Sequence, residues 1–446
     1  MRYDLAIIGG GPAGYTAAET AGKAGLSVVL FEKNALGGVC LNEGCIPTKT
    51  LLYSAKMYDH ARQSSKYGLS VSDVSVDLGK VVTRKSKVVR KLVLGIKARL
   101  EACHVTVVNG EAQVVDSHTI RCGEETYECD KLILCTGSDT VIPPVPGLET
   151  VGFWTHREAL ANKEIPQSLA IIGGGVIGME FASFFNSLGV KVTVIEMLPE
   201  ILGGLDKEIS AALRADYTKK GITFLLGAKV TSVFEDEGNI YVNYEQNGEN
   251  ATVATDKLLV STGRKPVMNG FGLENLSLER TERNLIVVDE HLQTSVEGVY
   301  VCGDLNGKSL LAHTAVREAE VAVHHILGKA DSMSYDAIPS VVYTNPEVAC
   351  VGSSEEALVK SGVSYHVIKL PMTYSGRFVA ENEGVNGICK VLIDDKGIIL
   401  GVHMLGNPAS ELIVMAGMMV EDKRTYLEWK RYVFPHPTVS EIFKEL

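Results

Sequence analysis

The chain has 446 residues, of which 46% are apolar and 22% charged, so it is long enough for two or three globular domains. Its net charge of −11 argues against nucleic acid as the principal ligand. No apolar run approaches the roughly 20 residues of a membrane span, and no signal or transit peptide is recognised at the start, so a cytoplasmic protein is predicted.

The first predicted element is a short apolar strand at residues 5–8. It is followed by a turn with Gly9, Gly11 and Gly14, an alanine-rich helix, a second apolar strand and then Glu32. In such a unit the glycines let the backbone approach a pyrophosphate at the helix N-terminus, and the acid accepts hydrogen bonds from a ribose. The segment therefore predicts a dinucleotide site.

Two cysteines come next, Cys40 and Cys45, with four residues between them. This spacing is too wide for a zinc knuckle, and no metal site is predicted in the chain. It suits a disulfide if the backbone bends, which the neighbouring glycines permit. Pro47 favours the first turn of a helix, where the helix terminus and Lys49 would stabilise a cysteine thiolate. We interpret the stretch as a redox-active pair, with two unrelated buried thiols as the alternative.

The next 130 residues lead to a second copy of the dinucleotide pattern. Residues 53–101 are predicted to form two long helices, the second near 81–100. Thr136 and Gly137 then close an apolar strand and could lie against a dinucleotide. A proline cluster at residues 143–147 predicts a linker and a domain boundary. The other seven cysteines are expected mostly in the core: 103, 122, 129, 135, 302, 350 and 389.

The second dinucleotide pattern follows another apolar strand and contains Gly173, Gly175, Gly178 and Glu196. The separation of 23 residues between the first glycine and the acid is the same in both units. Glu196 favours NAD, because an acid repels the 2′-phosphate of NADP and no arginine stands beside it. Two dinucleotide sites in one chain indicate an enzyme that passes a hydride from one to the other.

Further along, an apolar strand ends in Asp304, which is placed to bind a ribityl hydroxyl or the phosphate side of a flavin. The turn before Arg264, which contains Gly263, resembles the earlier Thr-Gly turn. A helix is predicted over residues 312–327. From about residue 338 the pattern predicts an antiparallel sheet with helices, and the methionine-rich segment 411–421 is either core or packed on a partner chain.

Near the C-terminus, His436 stands between two prolines, which stiffen the backbone around it. Glu441, five residues on, is placed to select the tautomer of the imidazole ring. On these residues alone an exposed histidine without a catalytic role is the alternative.

Together these motifs resemble those of the flavoprotein disulfide reductases, and within them the dihydrolipoamide dehydrogenases. The resemblance covers nearly the whole chain and rests on segments 9–14, 37–49, 173–180, 261–266, 301–305, 311–320 and 436–441. It implies an α/β fold with two Rossmann-like dinucleotide-binding domains and an α+β C-terminal dimerisation domain. It also implies FAD and NAD as cofactors, a homodimer, and dihydrolipoamide carried by lipoyl domains of 2-oxo acid dehydrogenase complexes or by the glycine cleavage H protein.

The domain bounds expected on this basis are a first FAD-binding part at 1–146, an NAD-binding domain at 147–268, a second FAD-binding part at 269–336 and a dimerisation domain at 337–446. The resemblance also implies roles for single residues. Cys40 would exchange with the substrate, Cys45 would lie against the flavin, and His436, supplied by the second subunit, would act as acid and base with Glu441 orienting it.

The remaining implied roles concern the cofactors. Lys49 and Glu180 would form an ion pair beside the flavin. Contacts with FAD are implied for Glu32, Ala112, Asp304 and Ala312, and contacts with NAD for Gly175, Gly178, Glu196, Val230 and Gly263.

The same motifs allow three other functions, and particular residues count against each. A reductase of glutathione or a similar disulfide would usually carry arginines where Glu196 stands. A mercuric reductase would need a C-terminal cysteine pair, whereas no cysteine follows Cys389. A non-catalytic scaffold would have no need of Cys40, Cys45 and His436.

Overall fold

The structure is a computed structural model that describes residues 1–446. The chain forms two compact units, each built from three separate segments. The first unit comprises Met1–Thr50, Thr83–Val141 and Gly263–Ser334, and the second comprises Leu51–Val82, Ile142–Thr262 and Tyr335–Leu446. The four domain bounds expected from the sequence stay a prediction.

Eleven α-helices are present, together with short 3₁₀ turns. The helices are α1 (Pro12–Lys23), α2 (Gly38–Glu43), α3 (Cys45–Arg62), α4 (Leu78–Ala102), α5 (His156–Ala161), α6 (Val176–Ser187), α7 (Lys207–Lys219), α8 (Ala312–Ile326), α9 (Glu355–Ser361), α10 (Gly376–Glu381) and α11 (Ala409–Glu421).

The strands belong to five sheets. They are β1 (Arg2–Ile8), β2 (Val28–Glu32), β3 (Thr106–Asn109), β4 (Ala112–Asp116), β5 (Thr119–Cys122), β6 (Glu125–Leu134), β7 (Ser138–Thr140), β8 (Ser168–Ile172), β9 (Lys191–Glu196), β10 (Thr223–Leu226), β11 (Ala228–Asp236), β12 (Asn239–Gln246), β13 (Glu249–Thr255), β14 (Lys257–Val260), β15 (Arg264–Pro266), β16 (Val299–Val301), β17 (Ser340–Val342), β18 (Val348–Gly352), β19 (His366–Pro371), β20 (Ile388–Ile393) and β21 (Ile399–Leu405).

The first unit is built on a seven-stranded sheet with the order β3-β2-β1-β6-β5-β4, and β16 also pairs with β6. Strands β3, β2, β1, β6 and β16 are parallel, whereas β4 and β5 continue from β6 as an antiparallel meander. Leu5, Ala6 and Ile7 of β1 are fully buried, as expected of a parallel strand covered on both faces. Helices α1 and α8 pack on each other. The carboxyl ends of β1, β6 and β16 are therefore neighbours, which is where an open α/β sheet binds its ligand.

The second unit contains a four-stranded parallel sheet, β10-β9-β8-β14, and a three-stranded antiparallel sheet, β11-β12-β13. Its C-terminal part is a five-stranded antiparallel sheet, β17-β18-β21-β20-β19, on which α11 packs. This agrees with the change of pattern predicted near residue 338. The buried face of α11 includes Leu412, Ile413 and Ala416, while Val414 and Met418 are exposed. None of the eleven helices combines the length and the apolar composition that a membrane span requires.

The two long helices predicted over residues 53–101 are present but have different bounds. Helix α3 begins at Cys45, and α4 begins at Leu78 and ends at Ala102. The earlier start of α3 follows from Pro47, which is tolerated in a first turn because that turn has no backbone hydrogen-bond partner for its N–H. Five of the seven other cysteines are buried, whereas Cys103 and Cys122 are only half-buried.

Candidate active site

The cysteine pair lies where two helices meet. Cys40 belongs to the short helix α2, Cys45 is the first residue of α3, and the two are joined by a disulfide with their Cα atoms 4.7 Å apart. Both are half-buried. Their predicted pairing is thus present, and the alternative of two unrelated buried thiols is wrong.

Glycines bring this cystine close to the first dinucleotide turn. Gly37 has φ +98°, a conformation that favours glycine, and it precedes α2 directly. A Cβ on Gly38 would lie 2.7 Å from the Cα of Gly11, so only glycine permits this approach. The Asn42 side-chain amide stabilises the start of α2 by donating to the carbonyl oxygens of Leu36 (3.0 Å) and Gly38 (2.9 Å).

The N-terminus of α3 is arranged to favour negative charge at Cys45. The 18-residue helix directs its unpaired N–H groups and positive dipole end toward its first turn. Thr48 donates from Oγ1 to the Gly44 carbonyl at 2.6 Å, and Lys49 lies one turn beyond Cys45. After reduction of the disulfide, the helix N-terminus would favour the thiolate form of Cys45, a role that stays a prediction.

The first glycine turn has the geometry of a dinucleotide cradle. Gly9 has φ +102°, and a Cβ there would lie 2.3 Å from the Cys135 carbonyl oxygen. A Cβ on Gly14 would lie 1.7 Å from the Gly9 carbonyl oxygen, so α1 packs against the turn only because this residue is glycine. Gly11 differs, since a Cβ there would meet nothing nearer than 3.8 Å. Its surface is open to a ligand, as a bound pyrophosphate requires.

Glu32 ends β2 beside this turn and is 8% exposed. Its Oε2 accepts from the Gly10 amide at 2.7 Å, and its Oε1 accepts from the Asn34 amide at 2.7 Å. A carboxylate has about four lone-pair sites, so acceptor capacity remains for a ribose diol. The residues present therefore fit the adenosine half of FAD.

Asp304 lies in a 3₁₀ turn directly after β16 and takes part in a half-buried line of hydrogen bonds. Ser138 donates from Oγ to Asp304 at 2.5 Å, and Arg264 donates from Nε to the Ser138 Oγ at 2.8 Å. Burial raises the pKa of Asp304, partly offset by Ser138 and Arg264. These hydrogen bonds are possible because β7 and β15 pair, which joins the strands that follow the two Thr-Gly turns.

Four other residues expected near FAD or, for Thr136 and Gly137, near a dinucleotide lie on the same unit. Thr136 donates from Oγ1 to the Val267 carbonyl at 2.9 Å, and Gly137 has φ +73° with open space around it. Ala112 is the buried first residue of β4, and Ala312 is the first residue of α8. Their contacts with FAD stay predictions.

The second glycine turn repeats the first. A Cβ on Gly173 (φ +105°) would lie 2.5 Å from the Ser261 carbonyl oxygen, and one on Gly178 would lie 2.1 Å from the Gly173 carbonyl oxygen. A Cβ on Gly175 would meet nothing within 4 Å. Glu196 ends β9 and accepts from the Gly174 amide at 2.6 Å, as Glu32 does from Gly10.

These residues fit NAD. The Gly174 amide donates to Oε2 of Glu196 at 2.6 Å, and the Leu198 amide donates to Oε1 at 2.7 Å. The carboxylate keeps acceptor capacity for a ribose hydroxyl. Gly263 has φ +116° and open space around it, and Val230 lies in β11 beside a bulge. Contacts of Gly263 and Val230 with NAD stay predictions.

Gly175→Ala tests the open approach to the second turn. Gly175 has φ −72°, which alanine adopts without strain, so we expect an unchanged free energy of unfolding in urea. The added methyl group would stand where the pyrophosphate approaches, so the KM for NAD should rise by about tenfold, equivalent to about 1.4 kcal/mol. Gly152→Ala, also in open space, is the matched control. An unchanged KM for Gly175→Ala would show that NAD does not pass this glycine.

His436 and Glu441 form the pair expected from the sequence. The His436 Nδ1 lies 2.9 Å from Glu441 Oε1, and the His436 side chain is 82% exposed. The other Glu441 oxygen accepts from the Thr438 amide at 2.9 Å. The Thr438 amide and His436 hold the pKa of Glu441 below its ordinary value, so this carboxylate is ionised at neutral pH. It therefore selects the tautomer with hydrogen on Nδ1, which leaves Nε2 free to accept a proton.

Glu180 lies in α6, is 3% exposed, and accepts from the Tyr343 amide at 3.0 Å. Lys49 is half-buried in α3. The ion pair expected between them stays a prediction.

Sequence reasoning missed Glu318, which supports the Asp304 turn. This fully buried carboxylate of α8 accepts from the Gly303 amide at 2.5 Å and from the Asn306 side chain at 3.0 Å. The available signal was its position: Glu318 shares the apolar face of α8 with Ala315 and Ala322. An acid on such a face requires buried partners.

Two matching dinucleotide turns and a cystine at a helix N-terminus define an oxidoreductase that exchanges electrons between thiols and dinucleotides. Residues 3–319 match the model of the pyridine nucleotide-disulphide oxidoreductase family, and residues 338–446 match that of its dimerisation domain. The chain therefore belongs to the pyridine nucleotide-disulphide oxidoreductase family. FAD and NAD, the cofactors expected from the sequence, are those of this family.

Two dihydrolipoyl dehydrogenases are similar to this chain over its full length. The dihydrolipoyl dehydrogenase of Mycoplasma pneumoniae is 39% identical, covering 100% of this chain and 98% of the relative. That of Geobacillus stearothermophilus is 36% identical, covering 100% and 95%. Among solved structures, the HOCl-induced flavoprotein disulfide reductase RclA of Escherichia coli is 30% identical with a TM-score of 0.89, covering 100% and 99%. LpdA of Mycobacterium tuberculosis is 25% identical with a TM-score of 0.91, covering 100% and 98%.

Proposed function

We propose that the protein oxidises dihydrolipoamide to lipoamide and reduces NAD. The observation that carries this proposal is the Cys40–Cys45 disulfide at the N-terminus of α3, in a chain similar over its whole length to dihydrolipoyl dehydrogenases. The partners are dihydrolipoamide groups on lipoyl domains of 2-oxo acid dehydrogenase complexes or on the glycine cleavage H protein. The protein acts as a homodimer, in keeping with the dimerisation domain matched at residues 338–446.

The thiol half of the reaction follows from the protein's own residues. His436 accepts a proton at Nε2 from one thiol of dihydrolipoamide, and the resulting thiolate attacks Cys40. The Cys40–Cys45 bond breaks as a mixed disulfide forms, and Cys45 leaves as a thiolate stabilised by the α3 N-terminus. The second substrate thiol then displaces Cys40, and its proton passes to the departing Cys40 sulfur as lipoamide leaves. The reduced enzyme holds a Cys40 thiol and a Cys45 thiolate, and the first proton stays on His436 until the pair is reoxidised.

FAD, when bound, supplies the redox chemistry that transfers two electrons from the reduced pair to NAD. Glu32, Gly11 and the Asp304 turn would hold it, and Gly175 with Glu196 would hold NAD. The reoxidised Cys40–Cys45 disulfide completes the cycle, with NADH and one proton as products.

A second candidate is the reduction of a low-molecular-weight disulfide such as glutathione disulfide. The likeness to RclA, a flavoprotein disulfide reductase, supports it. Glu196 counts against an NADPH-dependent enzyme of this kind, because residues 197–206 contain no lysine or arginine to pair with a 2′-phosphate. Steady-state assays with dihydrolipoamide and NAD, set beside assays with glutathione disulfide and NADPH, separate the two. Faster turnover of the second pair of substrates would overturn the proposal.

Glu196→Arg should shift the preference between the two nicotinamide cofactors toward NADP. The substitution removes a carboxylate that repels the 2′-phosphate and adds a cation that pairs with it, so the ratio of kcat/KM for NADP to that for NAD should rise at least about tenfold. Glu196→Gln keeps an acceptor for the Gly174 amide and is the matched control. An unchanged ratio in the arginine variant would remove Glu196 from the NAD site.

A further inference from the structure

Helix α4 concentrates positive charge in an acidic protein. Its 25 residues contain eight lysines or arginines and one glutamate, whereas the whole chain has a net charge of −11. Such a helix face is often only solvated, so the charge alone identifies no ligand. The contacts that these cations make therefore decide whether the face is only solvated or is available to a ligand.

The basic residues of α4 differ in whether they are neutralised within the chain. Lys80 pairs with Asp77 at 3.3 Å, Lys97 with Glu101 at 3.8 Å, and Arg99 with Glu19 at 3.6 Å. Lys87, Arg90 and Lys91 are exposed and form no ion pair or hydrogen bond within the chain. These three side chains lie on about one turn of α4, so their fields add.

This turn lies next to α2, the helix that carries Cys40. A cavity of about 330 Å³ lies between α4 and α2, with Asn42 of α2 on one side and Lys85, Arg90 and Leu94 of α4 on the other. Asn42 is two residues from Cys40 and is held in place by its two hydrogen bonds to the backbone. Burial lowers the pKa of Lys85. Leu92 and Leu94 add exposed apolar surface beside the cations.

We propose that Lys87, Arg90 and Lys91 of α4 form a docking surface for an acidic carrier domain that delivers its dithiol to Cys40. The inference rests on the proposed function and names the kind of partner that this site accepts. A dithiol tethered to a protein reaches Cys40 only when the carrier's body comes near α2, and α4 is the adjoining surface. Acidic groups on the carrier would then pair with the three unpaired cations.

The expected consequence is mainly kinetic. Clustered charges of one sign raise association rates by about 10- to 1,000-fold, and this gain falls as salt increases. The association rate of a free dithiol without acidic neighbours would not be raised. The proposal therefore predicts that the enzyme discriminates between carriers by their charge.

The test uses the FAD-containing homodimer and three synthetic peptides of equal length. Each peptide carries one dihydrolipoyl-lysine flanked by four glutamates, four serines or four lysines. The kcat/KM of each is measured at low and high salt with the wild type and with the triple variant Lys87→Gln, Arg90→Gln, Lys91→Gln. The matched control is Lys163→Gln, Lys329→Gln, Lys360→Gln, which removes the same charge from exposed lysines elsewhere.

The wild type should prefer the glutamate peptide to the serine peptide by about tenfold or more at low salt, and the α4 variant should lose that preference. The control variant should keep it. Equal kcat/KM for the glutamate and serine peptides in the wild type would overturn the docking surface and leave the proposed function intact. A wild type that oxidises none of the peptides would instead overturn the proposed function.

Two other occupants of this surface are distinguished by separate measurements. Acetylation of Lys87 and Lys91 in the homodimer, read by mass spectrometry, should be fast; protection of both would show that a second copy of the chain covers α4. Binding of the wild type to anionic phospholipid vesicles, lost in the α4 variant and accompanied by no preference among the peptides, would assign the charge to a membrane surface and overturn the proposal.

Discussion

Cys45→Ser is expected to reduce turnover of dihydrolipoamide below detection while FAD stays bound. A serine oxygen forms no bond equivalent to the disulfide, so Cys40 has no oxidised state from which to exchange with a thiol. The FAD cradle depends on Gly9, Gly11 and Gly14, which the substitution leaves unchanged. The measurement is steady-state NADH formation together with the flavin content of the purified variant.

The control for this variant is Cys103→Ser, which removes a half-buried thiol that lies outside the disulfide. It should retain the turnover of the wild type. Substantial dihydrolipoamide oxidation by Cys45→Ser would contradict the role of the cystine, whereas loss of flavin in that variant would assign Cys45 a structural role instead.

His436→Gln is expected to slow the thiol half-reaction by about 10²- to 10⁴-fold, the usual contribution of a positioned acid or base. Glutamine keeps a donor for Glu441 but has no nitrogen that accepts a proton near neutral pH. Oxidation of NADH by an artificial electron acceptor does not require thiol deprotonation, so it should be unchanged. Stopped-flow reduction by dihydrolipoamide and steady-state NADH oxidation measure the two halves.

A second histidine provides the matched control for this substitution. His366 is also exposed and pairs with a carboxylate, Asp395, with 3.0 Å between Nε2 and Oδ1. His366→Gln should leave both half-reactions unchanged. If His436→Gln lowered the two half-reactions equally, the histidine would not be the acid and base of the thiol step.

Features that depend on neighbouring residues could be predicted from the sequence. The two dinucleotide units were recognised because the spacing from glycine to acid is local, and the structure shows the same amide-to-carboxylate hydrogen bond in each, at Glu32 and Glu196. Cys40 and Cys45 are likewise close in the chain, and the glycines around them predict the bend that their disulfide requires.

Features that depend on distant pairing could not be predicted. The contact between Ser138 and Arg264 joins residues 126 positions apart and exists only because β7 and β15 pair. The buried acid Glu318 acquires its role from the Gly303 amide, and this contact exists only because α8 packs against the turn that follows β16. No local sequence pattern encodes which strand an edge residue will pair with. The hydrogen bonds that link Arg264, Ser138 and Asp304 therefore could not be predicted from the sequence.

The central claim is that electrons from a dithiol enter through the Cys40–Cys45 disulfide and leave as NADH. Differential alkylation tests it directly: the anaerobic protein receives dihydrolipoamide and then NAD, and mass spectrometry counts the free thiol at each cysteine after each addition. Both Cys40 and Cys45 should become alkylated after the first addition and return to the disulfide after the second, with one NADH formed for each pair that is reoxidised. NADH formation while Cys40 and Cys45 remain joined throughout would contradict it.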